Sequence, residues 1–569
     1  MSHFDQTDQQ EHSCTMDVNA VYHAASSSGV IPGAFAGLTM HQVYKRSEPT
    51  VYQFLSHLLV FTAGHAFLLA RYLDRESDPV VETVKATSAF LAALSVSIAV
   101  YRLFFHPLRA YPGPVICKLT RFVASWHVVT RDSHEWMMRL HNKYGDVVRV
   151  SPNELSYISA SSVEWIHGAK AGKMARGPFY SGDPNRPADS MLSTQDLEEH
   201  RWRRRGWERG FGTVQLKEYE PRVLRHLDVL VSQLRARNNT TINMTNWCEF
   251  FAYDVMSDLA FSEDFGMLQQ GKPHRYVSAL HGATRLLTIA AQTPWARPIM
   301  SLFPVDRQSK IDGKEFARIS MDTFARRKAR NPDQNDMFGH LAARKVEGGR
   351  PLTEPELIAD TSLLIAAGAV STALCITFIF RYLSDDPAKM ERLQKEIDAC
   401  WDGVSPLQVN ALGPKAAPYL DGAINESLRL WPPAPNGMQR RTPREGAMID
   451  GELVPGGTQV SVHTMGVQRD KRHFTNPDEF LPERWIDEVR PASFVHDTRA
   501  FVPFTVGQFA CLGKNLAYQE IRLFMAAALR NFNFRFEDGF DPLAWEKEIL
   551  YKGTFLIKKL PVVVTSRQA

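Results

Sequence analysis

The chain has 569 residues, 44% of them hydrophobic and 22% charged, with a formal net charge of +4. Length alone suggests about two to four domains, and the charge excess is too small to imply a nucleic-acid partner. The six cysteines (Cys14, Cys117, Cys248, Cys375, Cys400 and Cys511) form no CxxC pair, which argues against a disulfide scaffold or a zinc site and fits a reducing compartment.

Residues 1–49 read as a polar tail without the short basic-then-apolar build of a cleaved signal peptide. From Pro49 to Ala70 no residue is formally charged, although His57 and His65 interrupt the apolar run. A second uncharged run covers Ala86–Tyr101 and continues past Arg102 into Leu103, Phe104 and Phe105. About 20 apolar residues cross a bilayer, so residues 50–106 are expected to form a membrane anchor of one or two transmembrane helices. The bland alternative is one or two buried core helices. The uncharged run Val18–Tyr44 is a weaker third, given its Ser, Gly and Pro content. Lys45 and Arg46 precede the first run, Arg102 and Arg109 flank the end of the second, and Arg71–Lys85 holds three basic against four acidic residues. The positive-inside rule then favours both termini in the cytosol. The prolines of His106-Pro107-Leu108 and Tyr111-Pro112-Gly113-Pro114 cannot continue a helix and stiffen the exit. Asn238, Asn239 and Asn243 stand in N-x-T patterns, which are meaningless on a cytosolic domain.

Within the body, Val147, Arg149 and Val150 ahead of Ser151-Pro152-Asn153 predict a hairpin. Residues 175–195, rich in Gly, Pro, Ser and Asp, predict a long loop of the kind that is often functional. The segment HRWRRRGWERGF, His200–Phe211, is densely basic. His200 and Arg204 fall four apart on one helix face. Thr353 and Glu356 form a capping-box pattern with Pro355 in the first turn, opening a helix that Asp385-Asp386-Pro387 closes after Leu383. About thirty residues at ~1.5 Å each make a rod long enough to cross a whole domain. Its centre is Ala366-Ala367-Gly368-Ala369-Val370-Ser371-Thr372. A Ser-Thr pair in mid-helix is ordinarily bonded to its own backbone. Glu426 and Arg429 form an i, i+3 pair before Trp431-Pro432-Pro433 ends their helix. Met448–Val462, with Asp450-Gly451 and Gly456-Gly457, predicts a sheet hairpin.

Near the C-terminus, FVPFTVGQFACLGKNLA (Phe501–Ala517) sets Cys511 between Gly507 and Gly513, with Phe504 ahead and an amphipathic helix behind. The two glycines are expected to take positive φ and let the backbone approach a flat cofactor. A helix starting near Leu512 would aim free N–H groups at the sulfur and lower its pKa. A lone cysteine is ordinarily a small buried hydrophobe, but its setting here is much more specific.

The pattern F-x-x-G-x-x-x-C-x-G (Phe504, Gly507, Cys511, Gly513) resembles the haem-ligand loop of the cytochrome P-450 family. Glu426-Ser427-Leu428-Arg429 resembles its ExxR motif, and Phe480-Leu481-Pro482-Glu483-Arg484-Trp485 its PERF segment. The resemblance runs from about Tyr111 to the C-terminus. It implies a mainly α protein with small β-sheets, with residues 107–569 forming one haem-binding monooxygenase domain. Cys511 would be the axial ligand of haem b, an arrangement that favours O–O cleavage. Glu426, Arg429 and Arg484 would form a buried structural network. His200, standing where a tryptophan is more familiar, and Arg204 would hold haem propionates, joined by Arg440 or Arg441. Residues 175–195 and 434–438 would line the substrate pocket. Gly368 would let the long helix approach the haem, and Ser371 and Thr372 would relay protons to bound oxygen.

Two departures stand out. Val370 replaces the usual acid beside the alcohol, leaving the proton relay incomplete. Phe509 replaces the Arg or His often found two residues before the cysteine, so a propionate contact is lost. The resemblance implies a membrane-anchored enzyme of the endoplasmic reticulum with its domain in the cytosol, and electrons from NADPH through a cytochrome P-450 reductase. The phrasing of 106–114 and 480–485 is most similar to fungal enzymes of secondary metabolism, pointing to a lipophilic terpenoid or polyketide substrate. Two rivals stay open: a haem-thiolate isomerase, dehydratase or coupling enzyme, and a catalytically silent membrane haem protein or scaffold.

Overall fold

The computed structural model describes residues 29–45, 51–71, 78–130, 132–181, 188–292, 307–330, 335–342, 350–401, 405–551, 553 and 555–567. These fall into two compact units that divide after Arg109.

The first unit is helical: α1 (Val30–Tyr44), α2 (Val51–Arg71) and α3 (Pro79–Val100), the last continued by a π-helical turn over Tyr101–Phe105. Asp78 caps α3 by accepting the Val80 N–H at 2.9 Å, and Pro79 occupies the first helical position, where its missing N–H costs nothing. The apolar stretch Val80–Phe105 is long enough to cross a membrane and is mostly unburied. Helix α1 falls inside the stretch 1–49 expected to be a polar tail. Apolar residues and glycines dominate it once Ser26–Ser28 are left outside.

The second unit is built around α6. Its principal helices are α4 (Leu197–Gly210), α5 (Met244–Phe261), α6 (Glu354–Leu383), α7 (Pro418–Leu430) and α8 (Lys514–Asn531). The Thr353 capping box forms as expected, with the Thr353 N–H donating to Glu356 Oε2 at 2.8 Å. Helix α6 ends at Leu383, and the next helix begins at Pro387 with Asp386 as its cap. The C-terminal half of α6, from Thr372 to Leu383, is buried on nearly every face, as a helix that is apolar all round must be. Phe378 stacks on Trp431 at 4.3 Å and Phe380 meets Phe524 edge-on at 6.0 Å. Each large apolar side chain so buried contributes roughly 1.5–3 kcal/mol.

Strands β1 (Val147–Ser151) and β2 (Glu154–Tyr157) make the predicted hairpin. With β3 (Ala175–Arg176), β4 (Arg440–Arg441) and β7 (Gln459–Val462) they form one sheet in the order β1-β2-β7-β4-β3, with only β2 and β7 parallel. The segment 448–462 is not a single hairpin. Strands β5 (Ala447–Ile449) and β6 (Glu452–Val454) pair across Asp450 and Gly451, at φ 48° and 85°, the positive-φ pair that a tight two-residue turn requires. The chain then leaves through Gly456-Gly457 and β7 joins the larger sheet. This registers β4 against β3, so Arg440 lies directly opposite Arg176.

Candidate active site

Cys511 is held by the loop before α8. Its backbone N–H donates to Phe504 O at 2.9 Å, and Gly507 bends the chain at φ 70°, where a Cβ would lie 2.1 Å from His167 O. A side chain is therefore excluded there on both counts. Gly513 behaves differently: its φ is −76°, so it needs no left-handed backbone, and a Cβ there would make only an ordinary 3.9 Å contact with Cys511 Sγ. Helix α8 starts at Lys514, two residues later than expected. Cys511 keeps a solvent-reachable face, but protein crowds its other sides. Burial pushes its thiol pKa up, against the Gly513 and Lys514 amides and the Arg204 and Lys514 charges, which pull it down. The helix-terminus effect is present as expected; in the bare polypeptide, desolvation exceeds it. Lys514 Nζ lies 5.8 Å over the Phe504 ring.

On one side of this loop lies a cluster of cations. Arg176 and Arg440 are opposed across β3 and β4, although like charges in that position repel. Phe509 sits between them, its ring 4.6 Å from the Arg176 guanidinium and 4.3 Å from that of Arg440. His200 packs on the same ring at 4.5 Å, and Arg204 donates to Ala510 O at 2.7 Å. Burial first, then the nearby arginines, holds the His200 imidazole down to about 3, so it is neutral. Burial likewise lowers Arg176 to about 10 and pulls Arg440 down. Among the described residues neither Arg176 nor Arg440 has a carboxylate partner, and Arg440 Nε and His200 Nδ1 are buried without a hydrogen-bond acceptor or donor. Such unpaired cations are costly and suit a flat group carrying two carboxylates beside Cys511. The haem propionates fit this chemistry.

Of the two candidate arginines, Arg440 is buried toward Phe509, whereas Arg441 is exposed. Arg176 was missed. Nothing in the Gly- and Pro-rich run around it marks it out, and only its strand partner reveals it. Phe509, read as a lost contact, is instead the surface on which two guanidiniums rest. Each desolvated cation–π contact contributes up to about 2 kcal/mol. Phe509→Ala should therefore release haem several-fold faster than wild type in transfer to an acceptor protein, while Phe509→Tyr should stay near the wild-type rate.

The three structural-network residues come together fully buried. Arg429 donates to both Glu426 oxygens at 2.8 Å, Arg484 Nε to Oε1 at 2.9 Å, and Trp485 Nε1 to Oε2 at 2.9 Å. Burial alone would raise the Glu426 carboxyl, but Arg429, Arg484 and Trp485 outweigh it and hold it below its ordinary value.

Helix α6 separates Ser371 and Thr372, which are neighbours in the sequence. Ser371 is partly exposed and back-bonds to Ala367 O at 2.8 Å. Thr372 is buried and donates to Glu520 Oε2 of α8 at 3.1 Å, because adjacent helix positions point about 100° apart. Burial raises the Glu520 carboxyl to about 8. At Gly368 a Cβ would meet the Met256 thioether at 2.6 Å, so its smallness leaves room for α5 to pack against α6. Val370 is packed against the core. At the other end of α6, buried Asp360 accepts the Met191 N–H at 2.6 Å and the Trp207 indole N–H at 3.1 Å. This ties the loop around residue 191 to α6 and α4. Tyr180, at the loop's other end, donates to Met438 Sδ at 3.6 Å.

A mainly α domain with a cysteine loop beside two buried arginines, Arg176 and Arg440, that have no carboxylate partner among the described residues defines a haem-thiolate protein. The family model named cytochrome P-450 matches residues 112–563, and the chain belongs to that family. It is 32% identical to tryprostatin B 6-hydroxylase of Aspergillus fumigatus over 93% of this chain and 95% of the relative. It is 31% identical to cytochrome P-450 monooxygenase FCK2 of Fusarium pseudograminearum over 88% of this chain and 90% of the relative. Against cytochrome P-450 monooxygenase aba2 of Botryotinia fuckeliana it is 32% identical, over 80% and 88%. The protein is a haem-thiolate monooxygenase that inserts one oxygen atom into a lipophilic small molecule, with haem iron bound through a cysteine thiolate.

Proposed function

We propose that Cys511 is the haem ligand and that Arg176, Arg204, Arg440 and neutral His200 hold the propionates. The observation that carries this is the opposed, acid-free Arg176–Arg440 pair beside the Cys511 loop. Bound haem supplies oxygen activation, to which the thiolate donates electron density. The chain's own residues do the rest. Arg176 and Arg440 neutralise the propionates. The loop crowds the sulfur on all sides but its exposed face, which it leaves open to the haem, and Ser371 holds the proton nearest the cofactor-facing side of α6. With Val370 unable to exchange a proton, Ser371 works through water or the substrate's own hydroxyl groups. Ser371→Ala should therefore divert reducing equivalents to peroxide and lower coupling several-fold. Thr372→Val should leave coupling near wild type while lowering stability by about 1–3 kcal/mol, since it removes the Glu520 partner.

The substrate is a fungal secondary metabolite of terpenoid or polyketide type. Residues 50–106 anchor the enzyme in the endoplasmic reticulum, and residues 107–569 form the cytosolic domain. Electrons arrive from NADPH through a cytochrome P-450 reductase that docks on the basic outer face of α4, where Arg201, Arg205 and Arg209 are exposed. Turnover under labelled oxygen tests the reading. One labelled atom per product supports it, and product without label favours isomerisation, dehydration or coupling, the second reading that Val370 motivates.

A further inference from the structure

Helices α1 and α3 lie parallel and in close register. Gly29 N–H donates to Glu82 Oε2 at 3.0 Å. One turn on, a Cβ at Gly33 would lie 2.2 Å from Ala86 O, and a Cβ at Gly37 would lie 2.4 Å from Phe90 O. Next, buried His41 shares a 2.7 Å hydrogen bond with Ser97 Oγ, and Lys45 Nζ caps the seam 4.5 Å over the Tyr101 ring. Small residues four apart let helix backbones touch, the packing mode that works inside lipid, where no hydrophobic effect drives helices together. The His41–Ser97 bond gives the buried imidazole a partner between the helices. The outward faces are apolar, with Phe35 72% and Val96 62% exposed.

Helix α2 must run the other way. Six residues separate Arg71 from Asp78, and Phe61 of α2 stacks on Phe90 of α3 at 4.6 Å. At the opposite end Tyr44 of α1 meets Phe54 and His57 of α2, at 6.4 and 5.9 Å. The three helices thus go up, down and up. The depth of α1 between Gly29 and Lys45 is about 24 Å, and lysines at helix ends reach to the interface to cover such a shortfall. Charge agrees. Residues 1–28 hold Asp5, Asp8, Glu11 and Asp17 but no Lys or Arg, and Arg71–Lys85 at the same end holds three basic against four acidic residues, whereas Lys45-Arg46, Arg102 and Arg109 mark the other side. Basic residues stay on the cytosolic face.

We infer that α1 is a third membrane-spanning helix, seated against α3 by Gly33, Gly37 and the His41–Ser97 bond, with lipid covering its outer face. An odd number of crossings puts residues 1–28 on the lumenal side, opposite the catalytic domain. This rests on the membrane reading above. It also replaces the two-span expectation, which left the tail in the cytosol.

The test is Glu11→Asn in the full chain expressed in endoplasmic-reticulum membranes, which completes an N-x-S acceptor with His12 and Ser13. A single-glycan mobility shift, removed by endoglycosidase, is expected for this variant and absent from wild type. The native acceptors at Asn238, Asn239 and Asn243 report the other side. A shift in the wild-type protein would show the catalytic domain to be lumenal, overturning the membrane reading itself. An unshifted Glu11→Asn variant that remains membrane-integrated after alkaline extraction would overturn the third span alone. On the Glu11→Asn background, Gly37→Leu should lower the glycosylated fraction, and an unchanged fraction would refute the glycine seam.

Discussion

Cys511→Ser is expected to abolish the thiolate signature in the reduced, carbon-monoxide-bound difference spectrum and to eliminate turnover. A serine hydroxyl is far less acidic than a thiol and is not held ionised by the two amides and two cations that face Sγ. Folding should survive, because Cys511 retains an exposed face and its backbone bond to Phe504 O does not depend on the side chain. Circular dichroism of the variant separates loss of the ligand from loss of the fold. A wild-type spectrum in a folded variant would refute the assignment. So would the same loss of signal on replacing one of the buried cysteines, such as Cys248 or Cys375, with Ala.

Glu426→Ala should lose haem by a different route. Removing the carboxylate strands Arg429 and Arg484, both fully buried, and leaves the Trp485 indole N–H without its acceptor. Breaking a buried ion pair by deleting one partner costs about 3–5 kcal/mol, a large share of the total stability of a domain. The expected result is a much lower thermal midpoint and little haem in the purified protein. Full haem content at a wild-type midpoint would show that the network is dispensable. The same carboxylate sets a pH dependence. Its folded pKa lies below its ordinary value, so its contribution is present above the unfolded pKa of about 4.3 and is lost as pH falls through the folded value. Haem release on acidification should therefore begin below that point in wild type. In Glu426→Gln this part of the acid dependence should disappear.

Much of this protein is legible in one dimension. Caps and periodicity are local, so Thr353 with Glu356 and Asp386 with Pro387 delimit the central helix correctly from sequence alone. The Cys511 loop, Glu426, Arg429 and Arg484 are also visible there, because their spacing is fixed by short elements. What the linear chain does not contain is register between distant segments. Arg176 acquires meaning only when β3 pairs with β4 and sets it opposite Arg440, with Phe509 between them. Rotation about the helix axis is equally invisible in a motif: Ser371 and Thr372 are neighbours in sequence, yet packing turns one toward the partly exposed side and the other toward Glu520. The same holds for glycine. Gly507, Gly368 and Gly37 look alike in the sequence, but the tertiary structure gives them separate reasons: a left-handed turn, room for Met256, and contact with the backbone of another helix. Local chemistry determined the elements and the cysteine loop, and long-range packing decided which side chains meet.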